Sequence, residues 1–318
     1  MRERSSSHLI DSYGRYMKKL RLSLLDACNF RCVYCMPEKA QFTPSKDYLK
    51  TEDLLRIVKN FVSFGVEEVR LTGGEPTLRK DWLVVAQKLS ELPLRKLGLT
   101  TNGFNLHKSI EDLSRTQCQY INISIDSLRK EKFNSITRRP FYDDVMKSIF
   151  MAKEFGFNLK LNVVVMKSVN DDEVIDFVRF SQKYDIEVRF LETMNIGVAR
   201  PHFEKWFIPA QSLINNIEAH FDWTKRDREA DDTAFCYDLS GGGRIGFIAS
   251  ESQSFCQGCS RLRLDAKGVL RPCLFKEQGL SFKDISLEDY PKALSETMRL
   301  KPIEREKELA QPMYQVGG

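Results

Sequence analysis

A chain of 318 residues with 42% apolar content can enclose a large core and a smaller appendage, which excludes a disordered or fibrous protein. No apolar run reaches the length of a bilayer span, and no signal-type apolar stretch follows the charged start MRERSSSH, so the sequence reads as cytoplasmic with no membrane partner. Lysine plus arginine, 49 residues, exceed aspartate plus glutamate, 44, without a dense basic block; this suits a small anionic substrate better than nucleic acid.

From residue 20 to about 192, short apolar strands alternate with amphipathic helices, the pattern of parallel βα units. Six strands are predicted, at 20–25, 68–72, 96–101, 120–125, 159–165 and 186–191. Leu54, Leu55, Val58, Phe61 and Val62 recur at helical spacing after the first strand, with Thr51 as the expected cap, and a second such helix covers 171–183. Past Glu192 come a linker, a helix at 211–220, short strands at 243–249, 262–264 and 269–274, and a helix at 287–300. The expected division is therefore a barrel domain over 1–192 and an extension over 193–318.

Side chains alternate across a strand, and here the two faces differ sharply. One face carries Leu20, Leu22, Val69, Leu71, Ile121, Ile123, Leu161, Val163, Val188 and Phe190. The other carries Arg21, Arg70, Thr100, Asn122, Ser124, Lys160, Asn162, Glu187 and Arg189. A barrel with a packed interior would turn branched apolar residues inward, so this pattern predicts a partly open, six-unit βα barrel of TIM type around a polar cavity. The competing arrangement is a doubly wound sheet with a solvated edge. Inward pairing of the cations with Glu187 or Asp126 is expected in either case, yet cations outnumber anions on that face.

Of the eight cysteines, six fall into two tight groups, a distribution that fits metal ligation better than disulfides. Cys118 and Cys236 stand alone and read as small buried hydrophobes. Cys28, Cys32 and Cys35 lie on one loop just past the first strand, beside Tyr34. Three thiolates hold three corners of a 4Fe–4S cluster and leave one iron open. The amino and carboxylate groups of S-adenosylmethionine (SAM) can chelate that iron, and reduction would then cleave the sulfonium to a 5′-deoxyadenosyl radical. A zinc knuckle is the alternative, although no fourth cysteine or histidine lies near in sequence. After the second strand, Thr72-Gly73-Gly74-Glu75-Pro76 offers close backbone approach and, at Glu75, a partner for an ammonium.

Cys256, Cys259 and Cys273 again supply three thiolates, with Arg261 and Arg263 on one strand face between them, suited to a polyphosphate. A structural zinc site with an unseen fourth ligand is the alternative for this group.

The Cys28–Cys35 spacing after a first strand resembles the radical SAM superfamily. Taken with the TGGEP loop, Thr100-Thr101-Asn102-Gly103, Ile123–Asp126, Lys160–Asn162, Glu192–Met194, Phe255–Cys273 and the terminal Gly317-Gly318, nearly the whole chain resembles the MoaA family of GTP 3′,8-cyclases. That resemblance implies two 4Fe–4S clusters. SAM would sit on the first, with Tyr34, Gly74, Ser124 and Met194, and guanine of GTP on the second. It implies GTP contacts from Arg21, Arg70, Thr100, Lys160, Arg261 and Arg263, and catalytic parts for Arg263, Lys160, Gly317 and Gly318. The implied product is (8S)-3′,8-cyclo-7,8-dihydroguanosine 5′-triphosphate, in the first step of molybdenum cofactor biosynthesis. Implied partners are an electron donor such as flavodoxin or ferredoxin and the downstream cyclic pyranopterin monophosphate synthase, with the protein a monomer or homodimer. Leu25 and Ser260 depart from the family's usual residues without removing a ligand. A peptide-modifying radical SAM maturase and a zinc protein binding RNA are the alternative functions, although the first usually carries more C-terminal cysteines and the second denser basic patches.

Overall fold

Six parallel strands form where the alternation requires them: β1 (Lys19–Ser23), β2 (Glu68–Thr72), β3 (Lys96–Thr101), β4 (Tyr120–Ser124), β5 (Asn158–Val165) and β6 (Glu187–Glu192). The computed structural model describes residues 9–305, 309 and 312–315. Neighbours in the sheet follow chain order from β1 to β6, each pair parallel, and helices return the chain between them. These helices are α1 (Thr51–Ser63), α2 (Trp82–Ser90), α3 (Ile110–Ser114), α4 (Lys130–Thr137), α5 (Tyr142–Glu154) and α6 (Val174–Tyr184).

Helix α1 buries Leu54, Ile57, Val58 and Phe61, one stripe of a 3.6-residue period, against the apolar outer face of the sheet. Its cap differs from expectation. Lys50 holds the extended cap position and Thr51 is the first helical residue, its hydroxyl bonded to the Asp81 carboxylate. Helix α6 starts three residues later than predicted, because Asp171–Glu173 tightens into a 3-10 turn.

The second half contributes α7 (Phe203–Trp206), α8 (Ala210–Glu218), β7 (Trp223–Lys225), β8 (Phe235–Leu239), β9 (Arg244–Ile248), β10 (Arg261–Leu264), β11 (Val269–Arg271), β12 (Leu280–Ser281) and α9 (Tyr290–Arg299). The sequence reading missed β7, β8 and β12, whose two to five residues give little periodicity to detect. These strands build no second sheet. β10 pairs parallel with β1, β9 pairs parallel with β6, and antiparallel hairpins continue outward from each, giving one open sheet ordered β12-β11-β10-β1-β2-β3-β4-β5-β6-β9-β8-β7. Among the described residues no helix is long and apolar enough to cross a membrane.

Packing joins the halves. Phe61 of α1, fully buried, meets Phe282 and Tyr290 edge-on with ring centroids 5.1 and 6.1 Å apart. Phe61→Ala is expected to lower unfolding free energy by about 3–5 kcal/mol, as measured by urea titration, because it opens a cavity shared by both halves.

Candidate active site

The inner face of the sheet is built in rows. Arg263, Arg21, Arg70 and Gly98 are register partners across β10, β1, β2 and β3, and Thr100, Asn122, Lys160 and Glu187 across β3 to β6. Gly98 is small for a reason: a Cβ there would come 2.7 Å from the Tyr120 carbonyl and 3.1 Å from the Arg70 guanidinium. Through that gap Arg70 Nη1 donates to the Leu99 and Tyr120 carbonyls at 3.1 and 3.4 Å. Burial, then repulsion from Arg189, lowers Arg70 to about 10; burial, then Arg261, lowers Arg263 to about 10. Arg21 is pushed down further by burial and by Arg263, Arg70, Arg261 and Arg189 together. An anion placed among these cations would relieve their mutual repulsion.

Three adjoining cavities hollow the barrel. The first, about 370 Å³, is lined by ten basic side chains against four acidic ones, including Arg21, Arg70, Lys160, Arg189 and Arg261. Of the acids, Glu187 bonds Lys160 at 2.8 Å and Arg189 at 2.6 Å. Burial would raise its pKa, but Arg189 and Lys160 outweigh burial and bring it down to about 2. Asp126, the other expected partner, instead accepts from Tyr34 Oη at 2.8 Å and Val164 N at 2.9 Å. Cys236 is not the buried hydrophobe expected: it is half-buried and lines this cavity, its Sγ 3.9 Å from Glu187 Oε1, whereas Cys118 is fully buried as expected.

The second cavity, about 210 Å³, brings together Cys28, Cys32 and Cys35 with Tyr34, Gly74, Thr100, Ser124 and Met194. The thiol loop leans on the end of α4, where Arg31 N and Val33 N donate to the Thr137 and Ile136 carbonyls at 3.0 Å each, using acceptors a helix terminus leaves free. Burial pushes the thiols up, Cys28 to about 11 and Cys35 to about 12, and in Cys28 the Glu75 carboxylate adds to it. Positive charge from a metal cluster would reverse this. Three thiols around one cavity leave both readings of the sequence, a cluster and a zinc site, with the same three donors, and no fourth Cys or His lines the cavity among the described residues. Thr72 Oγ1, Thr100 Oγ1 and Asn162 Oδ1 are buried here without hydrogen-bond partners among the described residues, as polar groups that meet a ligand would be.

Gly73 and Gly74 run against the preceding loop so closely that a Cβ would lie 2.4 Å from the Leu25 carbonyl or 2.3 Å from that of Ala27. Backbone is therefore what this turn presents to the cavity. Glu75 is held by its neighbours. Its carboxylate is fully buried and takes four donors: Thr77 N at 3.0 Å, Thr77 Oγ1 at 2.6 Å, Thr101 Oγ1 at 2.7 Å and Asn102 N at 2.6 Å. It braces the loops after β2 and β3.

The third cavity, about 200 Å³, holds Cys256, Cys259 and Cys273 with Arg21, Thr100, Met194, Arg261 and Arg263. Arg261 lies over the Phe255 ring at 4.6 Å, bonds Thr233, and reaches Cys259 Sγ at 3.5 Å. Burial alone would raise the Cys259 thiol, but Arg261 and Lys301 overcome it and bring it down to about 6. Asn122 and Arg189 line the cavities as the strand alternation predicts, whereas Lys301 follows a helix and gave no signal in the sequence. Gly317 and Gly318 lie outside the described residues. Met313, a few positions earlier, lines both the second and third cavities.

An open six-unit βα barrel with three thiols past its first strand and a glycine turn past its second defines the radical SAM class. In agreement, residues 22–181 match the Radical SAM superfamily and residues 186–310 match Molybdenum Cofactor Synthesis C. The chain is 42% identical to a GTP 3′,8-cyclase of Synechocystis sp., over 98% of this chain and 96% of that one. It is 35% identical to a GTP 3′,8-cyclase of Clostridium botulinum, over 98% and 100%. The solved structure of Streptococcus suis SuiB bound to S-adenosylmethionine shares the fold, with a TM-score of 0.65 and 16% identity over 89% of this chain and 67% of that one. The chain belongs to the GTP 3′,8-cyclase family of radical SAM enzymes, which use SAM and an iron–sulfur cluster.

Glu75→Gln should destabilise the protein by about 1–3 kcal/mol in denaturant titrations without any ligand, because one of the four buried donors loses its acceptor. A purely ligand-recognising Glu75 would leave that stability unchanged.

Proposed function

We propose that this chain converts GTP to (8S)-3′,8-cyclo-7,8-dihydroguanosine 5′-triphosphate, the first step of molybdenum cofactor biosynthesis. One observation carries the reading: the cavities form a chain. Thr100, Asn162, Leu191, Met194 and Met313 line both thiol cavities, while Arg21, Asn122, Arg189, Thr233 and Arg261 line both the second thiol cavity and the basic one. A nucleoside triphosphate with its base at Cys256, Cys259 and Cys273 and its phosphates among Arg21, Arg70 and Lys160 would hold its ribose at the junction facing the first thiol group.

Cys28, Cys32 and Cys35 would hold the cluster that binds SAM, with the Gly73-Gly74 backbone, Tyr34, Ser124 and Met194 against SAM itself. That cluster, when bound, supplies the electron that cleaves SAM to an organic radical. Cys256, Cys259 and Cys273 would hold a second 4Fe–4S cluster next to the base. Buried cations in the basic cavity bind the triphosphate by charge-assisted hydrogen bonds and fix the ribose, so that hydrogen abstraction occurs between atoms already in contact. Residues 1–192 would form the radical SAM barrel with the first cluster, and residues 193–318 an extension with the second cluster and the Gly317-Gly318 tail. A cytoplasmic location, a flavodoxin or ferredoxin as reductant, and a synthase consuming the product complete the reading.

Anaerobic incubation with GTP, SAM and dithionite, with product identified by mass spectrometry, tests the reaction. In protein retaining both clusters, Lys160→Ala and Arg263→Ala should each reduce GTP binding or turnover by roughly a hundredfold or more, the loss of a desolvated contact worth about 2–5 kcal/mol. Parental behaviour in both variants would move the substrate elsewhere.

Met313 at the junction of the two thiol cavities supports a tail that reaches the site. Removing Gly317 and Gly318 should leave iron content unchanged and greatly reduce product. Full turnover in the truncated protein would make the tail dispensable.

A further inference from the structure

Lys301, just past α9, is buried to 3% exposure with three short contacts for the three N–H groups of its ammonium. Its Nζ donates to the Pro272 carbonyl at 2.7 Å and the Arg261 carbonyl at 2.8 Å, and reaches Cys259 Sγ at 3.5 Å. No carboxylate is paired with it among the described residues. We propose that Lys301 is a positioning residue for the second metal group: it ties the two chain segments that carry Cys259 and Cys273 together and sets a positive charge against the Cys259 sulfur.

The topology explains why such a tie is needed. β10 and β11 pair only at Arg263 with Arg271 and Leu264 with Leu270. The ladder stops there on the side of the cysteines, where Pro272, which has no N–H, cannot extend it. Lys301 bridges the two strands where the ladder ends, on the carbonyl two residues past Cys259 and the one just before Cys273. The third cysteine is tied to the same segment by a different cation. Arg15 donates to the Cys256 carbonyl and, at 2.7 Å, to the Pro302 carbonyl, while Asp11 holds its Nε at 2.7 Å. Lys301-Pro302 is thus the strip of chain to which all three thiol-bearing positions are anchored.

The charge acts separately from the tether. A buried ammonium without a carboxylate partner is unfavourable unless negative charge lies against it, and Cys259 as a ligating thiolate provides that charge. Reciprocally, the ammonium makes a reduced, more negative cluster easier to form, since hydrogen bonds and charge at cluster sulfurs set its potential.

The inference rests on the proposed second cluster, so the experiment measures the two apart. Iron and sulfide are determined on anaerobically reconstituted full-length protein, with electron paramagnetic resonance and redox titration of the reduced state. The parent should bind about eight irons and Cys259→Ala about four. A parent with about four, unchanged in Cys259→Ala, would refute the second cluster itself. Given that cluster, Lys301→Met, lacking both tether and charge, should fall toward four irons while the first cluster keeps its spectral response to SAM. Lys301→Arg should restore most of the iron. Lys301→Gln, which can still donate to the two carbonyls, should keep more iron than the methionine variant but shift the second cluster to a more negative midpoint. Eight irons in Lys301→Met with the parent's spectrum would overturn the proposal. If Lys301→Met does not fold, Lys301→Gln decides alone, and an unshifted midpoint overturns it.

Discussion

Arginine side chains stand in register across three adjacent parallel strands, Arg263 beside Arg21 beside Arg70, on the concave face of a sheet that excludes most solvent. Each is partly desolvated and each repels the next, so all three have pKa values below the ordinary guanidinium value. A folded chain tolerates this only if the rest of the structure fixes those strands independently. The apolar outer faces of β1 to β6 do so, packed under the helices into one continuous core. Stability therefore resides between sheet and helices, and the interior keeps its polar, largely basic lining.

The same constraint accounts for how the second half is used. Two of its strands dock on the two edges of the six-strand sheet, so β10 carries Arg261 and Arg263 onto the register of Lys19 and Arg21, while β9 extends the wall beside Arg189. Edge pairing satisfies backbone groups that would otherwise face water and simultaneously delivers the second thiol group to the basic face. One set of hydrogen bonds thus closes the fold and assembles the site.

Loop geometry at the strand ends completes the arrangement. The first thiol group is held by the terminal carbonyls of α4, the glycine turn by contact with the Leu25–Ala27 backbone, and both neighbouring loops by the buried Glu75 carboxylate. Each support is a backbone contact or a buried hydrogen bond within the chain.

Much of this was legible in the sequence because strands impose a period of two and clustered cysteines have few structural uses. The alternation of Leu20, Arg21, Leu22 and of Val69, Arg70, Leu71 determined both the barrel and its polar interior. The cysteine spacings determined that there are two thiol sites. Tertiary structure alone decided that Glu75 braces the loops after β2 and β3, that Cys236 looks into the basic cavity, and that Lys301 reaches Cys259. Those outcomes depend on contacts between segments distant in the chain, set by strand pairing and loop packing, and local periodicity carries no information about them.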